Sequence, residues 1–396
     1  MHIALLADTF PPIRTSGAVQ LRDLSRELVR QGHTITMILP SAGLGTSWHV
    51  ENVDGVQVLR LKAPRTKDIG YVRRTISEFL MPFIMLRNLR KSPLADVSWD
   101  GVVWYSPTIF FGPLANALKK SSLCRSYLII RDIFPEWAAD MGLMGRGLPY
   151  LFFKAIARYQ YSVADVIGVQ TRGNLPYFAE WKNHAGRRVE VLQNWLADTP
   201  DVGCSIRVSA GKLAGRKIFV YAGNMGVAQG MGILLDLAER LLSRRDIGFL
   251  FVGRGSDAQK LRVDAKSRGL ENVEFHDEID PSEIAGLYAQ CHAGIVALDP
   301  RHKTHNIPGK FLTYMQAGLP VLASINPGND LEDLIWSERV GRVCTDHTLD
   351  TLMRNVEEFV AEVNTDADIA RRCRALSARL FSPEVVVKQI VAGLVA

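Results

Sequence analysis

Lys310 lies in "NIPGKFLTYMQAGLPV" (306–321), where the spacing predicts a short helix. Pro308 suits the first turn, Phe311, Leu312 and Met315 share one face, Gly318 supplies a stop, and Pro320-Val321 restarts as a strand. The lysine therefore stands in an opening turn whose unpaired amide N–H groups and dipole are already positive. The polar residues flanking it, His305 and Thr313, carry no compensating negative charge. Either the lysine snorkels into solvent, or an anion sits at the helix end; a diphosphate bonded by amides and ammonium would reverse the sign of the problem.

Other residues fit that second reading. "ADTFPPIRTSGAVQLRDL" brings Gly17 to the start of an amphipathic helix, where a bare backbone can approach a ligand. "AGNMGVAQGMG" contains Gly223 and Asn224, and "VGRGSD" sets Arg254 between two glycines with Ser256 or Asp257 as a predicted helix cap. Each glycine loop follows a predicted strand, and ligands of open α/β sheets bind outside the carboxyl ends of their strands. The dinucleotide pattern G-x-G-x-x-G occurs in neither half, which argues against an oxidoreductase.

The elements that position these loops form two similar series. β-branched runs at 2–8, 34–40, 56–61, 101–106, 127–132, 166–171 and 189–194 alternate with helical patterns. After a Gly/Ser/Ala-rich stretch (201–217) they resume at 217–223, 248–253, 273–279, 293–298, 320–324 and 341–344. Near-continuous apolar strands alternating with helices imply parallel sheets covered on both faces. The predicted architecture is α/β: two Rossmann-like parallel-sheet domains facing each other across a cleft. They span 1–200 and 213–380, with a last helix at 383–396 packing back on the first.

Composition agrees. A chain of 396 residues exceeds one compact core, and 47% hydrophobic residues suffice to build two. Five cysteines without C-x-x-C spacing argue against zinc and disulfides and suit a reducing compartment. The start "MHIALLADTFPP" lacks a basic leader and reads as a first strand. Net charge is +6. Much of it is concentrated between Lys62 and Lys91, where "ISEFLMPFIML" is interleaved with arginines and lysines. Such a segment either lies on an anionic membrane surface or is an amphipathic helix, kinked at Pro82, packed on the core. No nucleic-acid-binding module is recognisable.

These motifs together resemble the GT-B glycosyltransferases of family 4, retaining enzymes that use nucleotide-diphosphate sugars. Within that group the chain is most similar to bacterial O-antigen and capsule transferases of the fucosamine type. The resemblance is carried by "PPIRTSGAVQLRDLSRELVRQGHTITMI", "RDIFPEWAADMGL", "NW", "YAGNMGVAQGMGILLDLA", "FVGRGSD" and "PGKFLTYMQAGLPVLAS". It implies an acceptor site in the first domain and a UDP-sugar site in the second. Gly17 would face the donor phosphate, Lys310 with Arg254 would bind the diphosphate, and the backbone near Glu278 and Ile279 would meet the base. No metal cofactor is implied. The acceptor would be a lipid-linked saccharide, plausibly receiving an N-acetylated amino sugar, at the inner face of the plasma membrane.

The chain departs from the family pattern at three places. An E-x7-E pair common in the family is replaced by His305 and Thr313, which bears on donor identity. A basic pair common after the first glycine of the second domain is replaced by Asn224 and Gln229. Arg131-Asp132 stands where related enzymes have His-Asp. Asp132 either orients or deprotonates the acceptor hydroxyl, or is a turn carboxylate paired with an arginine. His305 contacts the donor sugar, is a plain loop histidine, or marks a degraded site. Two alternatives keep the fold: a UDP-sugar epimerase, or a non-catalytic nucleotide- or glycan-binding homologue.

Overall fold

The computed structural model describes residues 1–13, 15–182, 186–300, 306–363 and 365–395. The chain divides into two compact units, Met1–Trp195 with Pro383–Ala396, and Leu196–Ser382.

The first unit's strands are β1 (His2–Leu6), β2 (Thr34–Ser41), β3 (Trp48–Val53), β4 (Val56–Lys62), β5 (Gly101–Tyr105), β6 (Arg125–Ile129), β7 (Val166–Val169) and β8 (Arg188–Val191). Their order among the described residues is β3-β4-β2-β1-β5-β6-β7-β8. All neighbours are parallel except β3 and β4. The second sheet comprises β9 (Lys217–Ala222), β10 (Ile247–Val252), β11 (Val273–His276), β12 (Ala293–Ala297), β13 (Val321–Ser324) and β14 (Gly341–Cys344). It is wholly parallel, in the order β11-β10-β9-β12-β13-β14.

Apolar runs without polar alternation produce this arrangement because both sheet faces are covered. In β1, Ala4 and Leu6 enter one core while Ile3 and Leu5 enter the other. In β9, Ile218 and Val220 face one side, Phe219 and Tyr221 the opposite side. Full burial of such a side chain contributes about 1.5–3 kcal/mol, so no register slip could be tolerated on either face.

The predicted elements omitted β3, which forms an antiparallel edge hairpin with β4. Its turn is Asp54-Gly55, both at positive φ (54° and 83°), and Gly55 N–H donates to Asn52 Oδ1 at 2.9 Å. Asp-Gly is a strong hairpin signal, so the information was present in "ENVDGVQV".

The Pro383–Val395 helix packs on the first unit. Val387, Ile390 and Leu394 enter its core, and Gln389 donates to the Val191 carbonyl at 2.8 Å. A β-carbon on Gly101 would stand 2.7 Å from Leu394 Cδ1, so a larger residue there would push that side chain aside. No helix among the described residues is long and apolar enough to cross a membrane.

Candidate functional site

In the second sheet the strand order reverses between β9 and β12. A crevice opens at such a switch point, outside the carboxyl ends of the strands. The loop after β9 carries Gly223 and Asn224, and the chain leaving β12 leads to the Gly309–Ala317 helix with Lys310 in its first turn.

Pro308 is the helix N-cap and supplies no side-chain hydrogen bond, and the first turn contains no acid. Lys310 nonetheless folds inward. Its Nζ lies 4.7 Å from the centroid of the Tyr221 ring. It has no ion pair or hydrogen-bonding partner among the described residues, and burial alone brings its ammonium down from 10.5 to about 8. An unpaired cation at the positive end of a helix, half withdrawn from water, is costly to the free protein. The face of the Tyr221 ring offsets part of that cost, and an incoming anion would offset more of it.

Glycines shape the floor. Gly223 (φ 138°) lies under the lysine: a β-carbon there would sit 2.8 Å from Lys310 Cε. Gly253 and Gly255, also at positive φ, press against the backbones of Gly223 and Met225, leaving no room for side chains. The two loops are laced together by Met225 N–H to Arg254 O at 2.7 Å and Asp257 N–H to Met225 O at 3.0 Å. Asn224 is fixed at both ends: its amide donates to Gln229 Oε1 at 3.2 Å and its carbonyl accepts the Tyr221 hydroxyl at 2.5 Å. Asn224 and Gln229 thus brace the loop where the family pattern has cations.

Arg254 and Glu278, predicted separately, form an ion pair at 2.9 Å with both side chains largely exposed. Ile279 packs at the margin of the core. Thr313 donates its hydroxyl to the Lys310 carbonyl at 2.9 Å, a bond internal to the helix. His305 lies outside the described residues.

Gly17 and Asp132 belong to the first unit, where the order reverses between β1 and β5. Gly17 opens the Ser16–Arg30 helix, capped by Thr15, and a β-carbon on it would be 3.3 Å from Thr9 Cγ2 and 3.5 Å from the Tyr105 ring. Arg131 is buried against the Trp195 ring, its guanidinium 4.5 Å from the centroid, and donates to the Leu192 carbonyl at 3.3 Å. Asp132 reaches the surface beside it. Desolvation raises the Asp132 carboxyl above its ordinary value, with Arg131 opposing. This is the direction a proton acceptor for a sugar hydroxyl requires.

Sequence reasoning missed Asp8, two residues beyond β1. Its Oδ1 is shielded from water with no hydrogen-bond partner among the described residues. Desolvation raises its carboxyl, while Lys67 and Arg74 pull it back down. An acid at the carboxyl end of the first strand, at a switch point, was the available signal.

Both units are thus α/β, the first with one antiparallel edge pair on an otherwise parallel sheet and the second wholly parallel. Residues 216–363 match the family described as glycosyl transferases group 1. The matched stretch lies within the second unit. WbjE of Pseudomonas aeruginosa, named as a glycosyltransferase, is 22% identical over 238 residues, 59% of each chain. WcaI of Escherichia coli K12, named as a colanic acid biosynthesis glycosyl transferase, is 29% identical over 207 residues, 46% of this chain and 47% of that one. The chain thus spans only about half to three-fifths of these relatives' length. The structure of WaaG, a glycosyltransferase of lipopolysaccharide biosynthesis, superposes with a TM-score of 0.66 at 15% identity, covering 98% of this chain and 99% of that one. HepE from Anabaena, solved with UDP and glucose, gives 0.64 at 15% identity over 100% and 99%. The fold of the chain is GT-B.

Proposed function

We propose that the protein is a retaining, metal-independent glycosyltransferase of surface-polysaccharide assembly. It moves a sugar, of N-acetylated amino or deoxyamino type, from a UDP-sugar to a lipid-linked saccharide at the inner face of the plasma membrane. The observation that carries this reading is Lys310: half-buried, without an ion-pair partner among the described residues, and set at a helix start with no side-chain cap on a switch point. A neighbour of the same fold solved with UDP and glucose, and a relative named for colanic acid biosynthesis, support this substrate class.

Breaking the sugar–phosphate bond builds negative charge on the departing diphosphate. Lys310 and the opening amides of its helix are fixed positive groups that stabilise this charge without reorganisation. The glycine floor lets the diphosphate approach the backbone, and Arg254, held by Glu278, reaches it from the neighbouring loop. Asp132, raised by desolvation, accepts the acceptor's hydroxyl proton, or the donor phosphate itself takes it.

The test is release of free UDP when the purified protein meets a panel of UDP-sugars and a lipid-diphosphate saccharide. Transfer that Lys310→Ala abolishes supports the reading. Conversion of a UDP-sugar without acceptor would mark an epimerase, and tight UDP binding without turnover a non-catalytic homologue.

A further inference from the structure

The Tyr71–Leu89 helix carries two apolar stripes, although packing on one core needs only one. Met81, Met85 and Leu89 are buried in the first unit. Val72, Ile76, Phe79 and Phe83, spaced four, three and four, form a second stripe that stays exposed, Val72 at 75% and Phe83 at 49%. The Leu148–Val163 helix repeats the pattern: Leu148, Phe152, Ala155 and Tyr159 have the same spacing and are also exposed. The stripes meet where the Phe79 and Phe152 rings stand 6.3 Å apart. Between the helices lies a cavity of about 380 Å³ walled by Phe83, Phe110, Pro113 and Ile156.

A contiguous apolar surface of this kind is rare on a solitary soluble chain. Its borders show what covers it. Arg87 continues the first stripe by one turn, and Arg90 and Lys91 follow. These three and Arg73 are exposed and have no carboxylate partner among the described residues. Against a second copy of the chain related by a two-fold axis, such cations would face one another or remain unpaired. Against an anionic leaflet they meet headgroups while the phenylalanines enter the acyl region.

We propose that this trough seats a hydrocarbon chain of an anionic lipid bilayer, with Arg73, Arg87, Arg90 and Lys91 on the headgroups. The inference deepens the membrane-side reading given above, but its test uses neither nucleotide nor acceptor, so the two fail independently. A basic amphipathic helix would only adsorb; the trough adds a place for one chain to leave the leaflet partway.

Full-length protein is titrated with vesicles of phosphatidylglycerol and phosphatidylethanolamine, and with neutral phosphatidylcholine vesicles. Phe83→Trp reports on chain contact through quenching by lipids brominated in the acyl chain. The anionic vesicles should bind at least tenfold tighter, and the added tryptophan should be quenched. The Phe79→Ser/Phe152→Ser pair should lower that affinity at least tenfold with an unchanged circular dichroism spectrum, both rings being half-exposed in the free protein. Wild-type binding by the serine pair, or an unquenched tryptophan, would reduce the interaction to surface adsorption and overturn the proposal. Self-association that protects the tryptophan, without vesicle affinity, would assign the trough to a second copy and overturn it too.

Discussion

Lys310 and Gly223, 87 positions apart in sequence, are mutually dependent: the lysine's Cε occupies space that a β-carbon at 223 would enter at 2.8 Å. Gly223→Ala must therefore both strain a backbone at φ 138° and push the ammonium out of the crevice. Strain of this kind costs about 1–3 kcal/mol. The expected result is a folded protein with a lower Tm and at least tenfold weaker UDP binding by calorimetry; unchanged affinity would show that the ammonium need not lie where it does.

Uridine diphosphate should bind with a pH dependence set by the same lysine. In the free protein its ammonium titrates at about 8, and a bound diphosphate would raise that value. Between pH 7 and 8 affinity should be nearly flat. Above 8 each pH unit should weaken binding towards tenfold, because a proton must be taken up first. Lys310→Ala should bind weakly and without this slope; a slope surviving in the variant would assign it elsewhere.

Stability should move oppositely. A lysine with a folded value of about 8 against 10.5 destabilises the fold while charged in both states, below pH 8. From 8 to 10.5 the unfolded chain holds more protons, so stability rises with pH and the penalty is relieved. Lys310→Met should thus stabilise the ligand-free protein at pH 7 by about 1–3 kcal/mol, an advantage that fades across that window. Urea denaturation at pH 7 and pH 9.5 measures both, and a destabilised methionine variant would contradict the burial described.

Asp8 makes the mirror-image case. Its carboxyl is raised by desolvation, so the charged form destabilises the folded state at neutral pH. As pH falls through the raised value towards 3.8, the folded state binds its proton first and the penalty is lifted. Asp8→Asn should accordingly unfold later than wild type at pH 7 and lose that advantage on acidification. Equal melting curves at pH 7 would mean that the carboxylate is solvated.

Much of this was legible beforehand. Strand–helix alternation and apolar strands carry α/β architecture in the chain itself, because a strand covered on both faces has no polar positions to alternate. The helix at Lys310 was visible from Pro308, its apolar spacing and Gly318, all local signals. The β3 hairpin is signalled only by Asp54-Gly55, because an edge strand lacks the continuous apolar run that marks the covered strands.

Other relationships were not available to any reading of spacing. Arg254 and Glu278 are separated by a helix and a strand, and only the β10–β11 pairing closes their 2.9 Å contact. The exposed stripes at 72–83 and 148–159 look the same in sequence as buried ones. Periodicity says that a helix has an apolar face, not whether anything covers it.

By itself, then, the chain determined its sheets, its glycine loops and the presence of a cation at a helix start, each encoded within a few turns of backbone. Tertiary structure alone decided that this cation turns inward over Tyr221 with no counter-charge among the described residues, and that Asp8 Oδ1 is shielded from water. Charge type is a property of a residue, but desolvation and pairing depend on what distant segments place around it.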